Sequence, residues 1–224
     1  MSNAKLSHSA EDYLKIIWKL KEWSDQPVST TLLSETSGMR ASTVSDAVKR
    51  LTASGLVKHA PYSSIALTPK GRKIAIAMVR RHRIIETFLV SHMGYRWDEV
   101  DDEAEHLEHA ASDKLIDRME EMLDYPTRDP HGDPIPDRDG NIAQLDAKPL
   151  TEAPKDVELK VERISDSDPK FLRFLKENDI HIGSTFQSIP AGEFSENVLI
   201  RLPKTQNPIP VGKSSAQLIW VSHS

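Results

Sequence analysis

The 224-residue chain contains no cysteine. That absence excludes disulfides and thiolate metal ligands, and it suits a reducing, cytoplasmic compartment. Apolar runs are short: none reaches the ~18 residues of a membrane-spanning helix, and Met1 to Ala10 lacks the apolar stretch of a signal peptide. A cytoplasmic protein without membrane contact is the expectation. Hydrophobic content of 38% and charged content of 28% suit ordinary globular cores, and the length allows two or three small domains.

The net charge of −5 is unevenly spread. Residues 1–75 carry 11 Lys and Arg against 6 Asp and Glu, residues 76–150 carry 9 against 18, and residues 151–224 carry 9 against 10. A basic first third suits a polyanion, and an acidic middle suits cations. Solvated charged faces would give the same imbalance.

In the first third, His8 to Trp23 reads as an amphipathic helix with Tyr13, Leu14, Ile17, Trp18 and Leu20 on its apolar side. Asp25-Gln26-Pro27 breaks it. Ser29 is placed to cap a helix over Thr30–Ser37, and Gly38 then makes a turn. Ser42 is a candidate cap for a third helix, with Val44, Ala47, Val48 and Leu51 inward and Gly55 at its end. Two short helices around a Gly-containing turn form a helix-turn-helix pattern. Leu56–His59 and Ile65–Leu67 then read as two strands of a hairpin wing. Short polar side chains at a helix start reach base edges and phosphates in a major groove. The candidate DNA contacts are therefore Arg40, Ser42, Thr43, Ser45, Asp46 and Lys49, with Tyr62 at the wing tip. A helical bundle without DNA binding is the competing reading.

In the middle third, Thr68-Pro69 is a helix start that leads to about His92, carrying His82 and Glu86 at i and i+4. Gly94 ends it, and a second helix is expected from Asp98 or Asp101 to about Leu123. On that helix Glu105, Glu108 and His109 stand at i, i+3 and i+4, which puts two carboxylates and an imidazole on one face. A divalent cation is the natural partner for such a set. A Glu-Glu-His hydrolase site is an alternative, but the sequence indicates neither nucleophile nor cleft for it, and no enzymatic activity is expected.

The stretch from Asp124 to Pro154 holds six of the fourteen prolines and reads as a linker. Beyond it, Val157, Leu159 and Val161 alternate as a strand does. Asp168-Pro169 starts a helix bearing Phe171, Leu172, Phe174 and Leu175. Ser184–Ile189, Asn197–Leu202 and Gln217–Val221 read as further strands.

Taken together, these segments resemble the diphtheria toxin repressor and manganese transport regulator family of metal-dependent repressors. The resemblance is carried by Glu11-Asp12-Tyr13-Leu14, Thr43-Val44-Ser45, Leu67-Thr68-Pro69-Lys70-Gly71, Arg81-His82-Arg83 with Glu86, Asp102-Glu103-Ala104 and Leu107-Glu108-His109. It implies a mainly α protein with small β parts. The expected parts are a winged helix-turn-helix domain over 1–73, a helical metal-binding and dimerisation domain over 74–125, a proline-rich linker over 126–154 and an SH3-like β-barrel over 155–224. It further implies a homodimer on palindromic operator DNA, with no organic cofactor.

The resemblance also implies a primary metal site of Asp12, Glu105, Glu108 and His109. His82 and Glu86 match a second cluster, in which His82 serves either site. Asp129-Pro130-His131-Gly132 resembles a segment that lends ancillary ligands in some manganese-type members, so Asp129 and His131 join the candidates. Asp166-Ser167-Asp168 matches, loosely, a place where the SH3-like domain donates a ligand, although Asp168 is equally a helix cap. Two positions depart from the pattern. Lys15 replaces a Glu ligand of the short manganese regulators, and Asp101 stands where iron-type members have a His. Iron-responsive members use a thioether and a thiol where this chain has Asp12 and Glu105. Hard carboxylate oxygens favour Mn2+ over softer, later ions. Mn2+ is therefore the expected effector in repression of metal-uptake genes, with Fe2+ the alternative and other first-row divalent ions substituting in vitro. A winged helix regulator of an organic ligand remains a different reading.

Overall fold

A computed structural model describes residues 6–60, 63–192, 194–203, 205 and 207–223. Tyr62 lies outside the described residues. The chain divides into two compact units. One holds the described residues up to His82 together with Pro136–Asn141, and the other holds Arg83–Ile135 and the rest from Ile142 onward.

The first unit begins with three helices, α1 (His8–Trp23), α2 (Thr30–Ser37) and α3 (Ala41–Ala53). Ser7 and Ser29 cap α1 and α2 by accepting from the backbone N–H of Ala10 and Leu32. Gly38 is left-handed, with φ of 66°, the conformation glycine adopts at least cost in a helix-ending turn. Ser42 is not the cap of α3. The helix starts two residues earlier than a Ser42 cap would place it, at Ala41 after Arg40, with no side-chain cap, so Ser42 stands in its first turn. Two short strands follow, β1 (Val57–Lys58) and β2 (Ala66–Leu67), paired antiparallel. Leu14, Ile17, Leu33, Val44, Val48, Leu56 and Ile65 are buried as the core beneath them. Helix α4 (Pro69–Met93) is capped by Thr68, whose Oγ1 accepts from Gly71 N–H at 3.1 Å. A side chain at Gly71 would collide with the Leu56 carbonyl, so the entry to α4 demands glycine for close approach.

The second unit continues along α4 and adds α5 (Val100–Glu108) and α6 (Asp113–Met122). One helix was expected here. Ser112 instead caps α6, accepting from Leu115 N–H, and the chain breaks at His109–Ser112. Ile84, Ile85, Leu89, Val100, Ala104, Ile116 and Ile135 form the core of these helices.

The C-terminal part is a six-stranded antiparallel sheet of order β3-β8-β4-β5-β6-β7, as fits an SH3-like module. Its strands are β3 (Lys148–Pro149), β4 (Glu158–Ile164), β5 (Thr185–Ile189), β6 (Asn197–Arg201), β7 (Ile209–Gly212) and β8 (Ile219–His223). Helix α7 (Pro169–Glu177) follows β4, and the short α8 (Lys213–Ala216) precedes β8. Along β4 the in-out alternation stops, and every residue from Val161 to Ser165 is buried. Its second face is covered by the turn around His131.

Candidate metal centre

The structure brings Glu105 near Glu108, and Glu108 near His109. Glu105 and Glu108 lie one turn apart on α5, and each offers a ligand oxygen within 4.8 Å of the other's. Glu108 is fully buried, and His109 Nε2 lies 3.6 Å from its Oε1. His109 is the first residue past α5, with helical φ and ψ of −85° and −26°, so the helix break does not turn its imidazole away. His106 is exposed, and its Nδ1 lies 2.6 Å from the Asp102 carbonyl of its own helix. It takes no part. Asp12 is half-buried on α1 of the first unit, and the buried Lys15 follows on the same helix.

A second group lies deeper. Glu86 of α4, Asp129 and His131 are all buried, with one ligand atom each within 4.8 Å of the others. Asp129 and His131 come from a tight turn in which Asp129 Oδ1 accepts from the backbone N–H groups of His131 and Asp133, both at 2.9 Å. His131 Nε2 lies 2.7 Å from the Trp97 carbonyl. A carbonyl only accepts, so Nε2 carries the hydrogen. His131 Nδ1 is buried with no hydrogen-bond partner among the described residues and faces Glu86 Oε1 at 3.8 Å.

The electrostatics of this group have one origin, buried negative charge. Burial, with Asp133 and Glu86 alongside, pushes the Asp129 carboxyl up to about 8, against the pull of Arg83 and His131. Burial disfavours the charged His131 imidazole, but Glu86 and Asp129 outweigh it and raise the group to about 9. A buried imidazole nitrogen with no hydrogen-bond partner among the described residues, set among carboxylates, fits a divalent cation, which would take the place of the proton.

The two aspartates of Asp166-Ser167-Asp168 have different tasks. Asp168 caps α7, accepting from the N–H groups of Lys170 and Phe171. Asp166 offers an oxygen within 4.8 Å of those of Glu86 and Asp101. Sequence reasoning left both out of its ligand set, and the cap motif at Asp168-Pro169 was the signal that separates them. His82 stands one turn before Glu86 on α4 and is buried.

At the start of α3 and along it, Arg40, Ser42, Thr43, Asp46 and Lys49 are exposed and Ser45 is half-buried. Lys49 Nζ sits 3.4 Å from Asp46 Oδ1. This places the short polar side chains outward, while Val44, Ala47, Val48 and Leu51 face the core.

Three family models match the chain. They are the iron dependent repressor N-terminal DNA binding domain over residues 5–65, the iron dependent repressor metal binding and dimerisation domain over 68–137, and the FeoA domain over 148–223. The iron-dependent repressor IdeR of Mycobacterium leprae is 32% identical over 217 residues, which cover 90% of this chain and 92% of that protein. The chain belongs to the iron-dependent repressor family. The diphtheria toxin repressor of Corynebacterium efficiens is 39% identical over 131 residues, about half of that protein at 56% of its length. Among solved structures, a manganese-dependent transcriptional repressor in complex with manganese is 44% identical with a TM-score of 0.90, covering 96% of this chain and 100% of that one.

Family membership makes this chain a metal-dependent, DNA-binding transcriptional repressor rather than an enzyme. Its DNA-binding and dimerisation domains imply operator DNA and a homodimer. Among the described residues no helix is long and apolar enough to cross a membrane.

Proposed function

We propose that this repressor responds to Mn2+ in the cytoplasm and binds a palindromic operator of metal-uptake genes as a homodimer. The observation that carries this reading is the donor set. Glu105, Glu108 and His109 offer carboxylate oxygen and imidazole nitrogen, and the chain has no thiol to offer. Such ligands suit Mn2+, although an oxygen-rich site still binds later ions more tightly, so selectivity comes from geometry and metal availability.

Glu105, Glu108 and His109 would hold the primary ion. The family resemblance adds Asp12 as its fourth donor. Glu86, Asp129 and His131 would hold a second ion, with His82, Asp101 and Asp166 as further donors. A bound divalent ion supplies the positive charge that lets these carboxylates remain ionised together. On α3, Arg40, Ser42, Thr43, Ser45, Asp46 and Lys49 meet the operator, and Tyr62 of the wing adds a contact. Domain limits near residues 73, 125 and 154 separate reading, sensing and SH3-like parts. Metal and DNA binding are linked, and a coupling of ~1–3 kcal/mol changes operator affinity roughly 5–150-fold.

The test is operator binding with Mn2+ and Fe2+ each buffered at its cellular level. Activation by Mn2+ alone is expected. Activation by Fe2+ but not Mn2+ overturns the metal assignment, and binding that ignores a chelator overturns metal sensing altogether.

A further inference from the structure

The turn that presents Asp129 and His131 is seated on strand β4 of the FeoA-type module, about thirty residues away in sequence. Four separate ties hold it there. Ile164 N–H donates to the His131 carbonyl at 2.9 Å. Arg128 Nη1 donates to Glu162 Oε2 at 2.5 Å. Gly132, with φ of 87°, lies so close that a side chain would collide with the Glu162 carbonyl. The Arg163 guanidinium pairs through Nε with Asp133 Oδ1.

The last tie is the one with electrostatic consequence. Asp133 is 1% exposed, and each of its oxygens meets a different guanidinium. Oδ2 takes Arg83 Nη2 at 3.1 Å, and Oδ1 takes Arg163. Arg83 is committed elsewhere as well, donating to the Pro134 carbonyl at 2.7 Å and lying 3.5 Å from Asp129 Oδ2. It cannot replace Arg163. Loss of Arg163 would leave a buried carboxylate oxygen without its cation, which is costly where water cannot enter. The backbone of Asp133 is itself part of the turn. Its N–H donates to Asp129 Oδ1, and its carbonyl accepts from Asp129 N–H at 3.0 Å. Any shift of Asp133 therefore moves Asp129.

We propose that Arg163 is a positioning residue for the second metal site. Acting through Asp133, it fixes the turn that carries Asp129 and His131, so the FeoA-type module tunes metal affinity there with a residue that touches no ion. This rests on the reading of Glu86, Asp129 and His131 as metal ligands. Partners one shell out from a metal typically change its affinity ~10–100-fold when removed.

The experiment is a Mn2+ titration of the full-length protein, with free Mn2+ counted by electron paramagnetic resonance to resolve two classes of site. Arg163→Met keeps the aliphatic stem and removes the charge. It is expected to weaken the second class ~10–100-fold while the first class stays within ~3-fold. Asp133→Asn should do the same, and R163M/D133N should be no worse than R163M alone, because the two act in series. Arg163→Lys should recover part of the loss. Equal weakening of both classes, unchanged affinities, or multiplying losses in the double variant would each overturn the proposal. If R163M fails to fold, R163K and D133N carry the same comparison. His131→Ala tests the underlying site: retention of both classes in it refutes the ligand assignment itself, whereas loss there with R163M unaffected refutes only the role of Arg163.

Discussion

His131 Nε2 and the carbonyl oxygen of Trp97 are 2.7 Å apart, and the two rings stack with centroids 6.0 Å apart. The carbonyl fixes the tautomer, because a second hydrogen-bond partner decides which ring nitrogen is left for a metal. On the proposed reading of the second site, Nδ1 would be the ligand atom. An Asn amide places a donor atom near the position of Nδ1, and Gln places one near Nε2. His131→Asn should accordingly retain measurable second-site Mn2+ binding, and His131→Gln should lose it, by isothermal titration. The reverse order would show that Nε2 is the ligand.

On the proposed reading, Glu105 would set the chemical character of the primary site. Replacing it with Cys trades a hard oxygen for a soft sulfur without changing the spacing to Glu108 and His109. Glu105→Cys should weaken Mn2+ binding and strengthen binding of Co2+, Ni2+ or Zn2+, since thiolates favour the later ions. Competition titrations with a metal-buffering indicator report the ratio. An unchanged preference would remove Glu105 from the ligand set.

The exposed face of α3 predicts two different losses on DNA. Arg40→Ala should weaken binding to all sequences alike and lower the slope of log affinity against log salt by about 1, as expected for one lost phosphate contact. Thr43→Ala should cost ~1–3 kcal/mol on the operator and little on unrelated DNA, as a base contact does. Fluorescence anisotropy across a salt series separates the two.

Glu162 ties β4 to the turn that carries Asp129 and His131 and gives a pH signature. Burial raises its carboxyl, but hydrogen bonds from Arg128, Ser222 and Lys160 prevail and hold it below the usual value of 4.5. A depressed carboxyl stabilises the fold above its unfolded pKa and loses that contribution as the pH falls through its folded pKa. Glu162→Gln should therefore destabilise the protein by about 1 kcal/mol at pH 7. The gap to the parent should begin to narrow as the pH falls below the unfolded carboxyl value of about 4.3 and close as it passes the lower folded value. Thermal unfolding of both proteins across this range measures it, and a gap independent of pH would point to packing instead.

Much of the architecture was legible because it is local. Ser29, Thr68 and Asp168 announce their helices through caps that reach only three residues. The face shared by Glu105, Glu108 and His109 follows from helical pitch alone. The break at Ser112 was missed because Val100, Ala104, Leu107, Ala111 and Leu115 keep an apolar period across it. Strand β7 was missed because Ile209-Pro210-Val211 is short and lies among prolines.

Sequence alone therefore determined the family and the helix-turn-helix fold, and it named Glu105, Glu108 and His109 as an oxygen-rich candidate donor set. Each depends on residue identity and near-neighbour spacing. Tertiary structure decided the rest. It buried His131, Gly132 and Asp133 in a segment whose prolines and charges read as a linker. It also separated Asp166 from Asp168 and brought Arg83 and Arg163 to the two oxygens of Asp133. Those contacts span 30 to 50 residues, and no periodicity records a partner so distant. A buried carboxylate is stable only once the folded chain has delivered its cations.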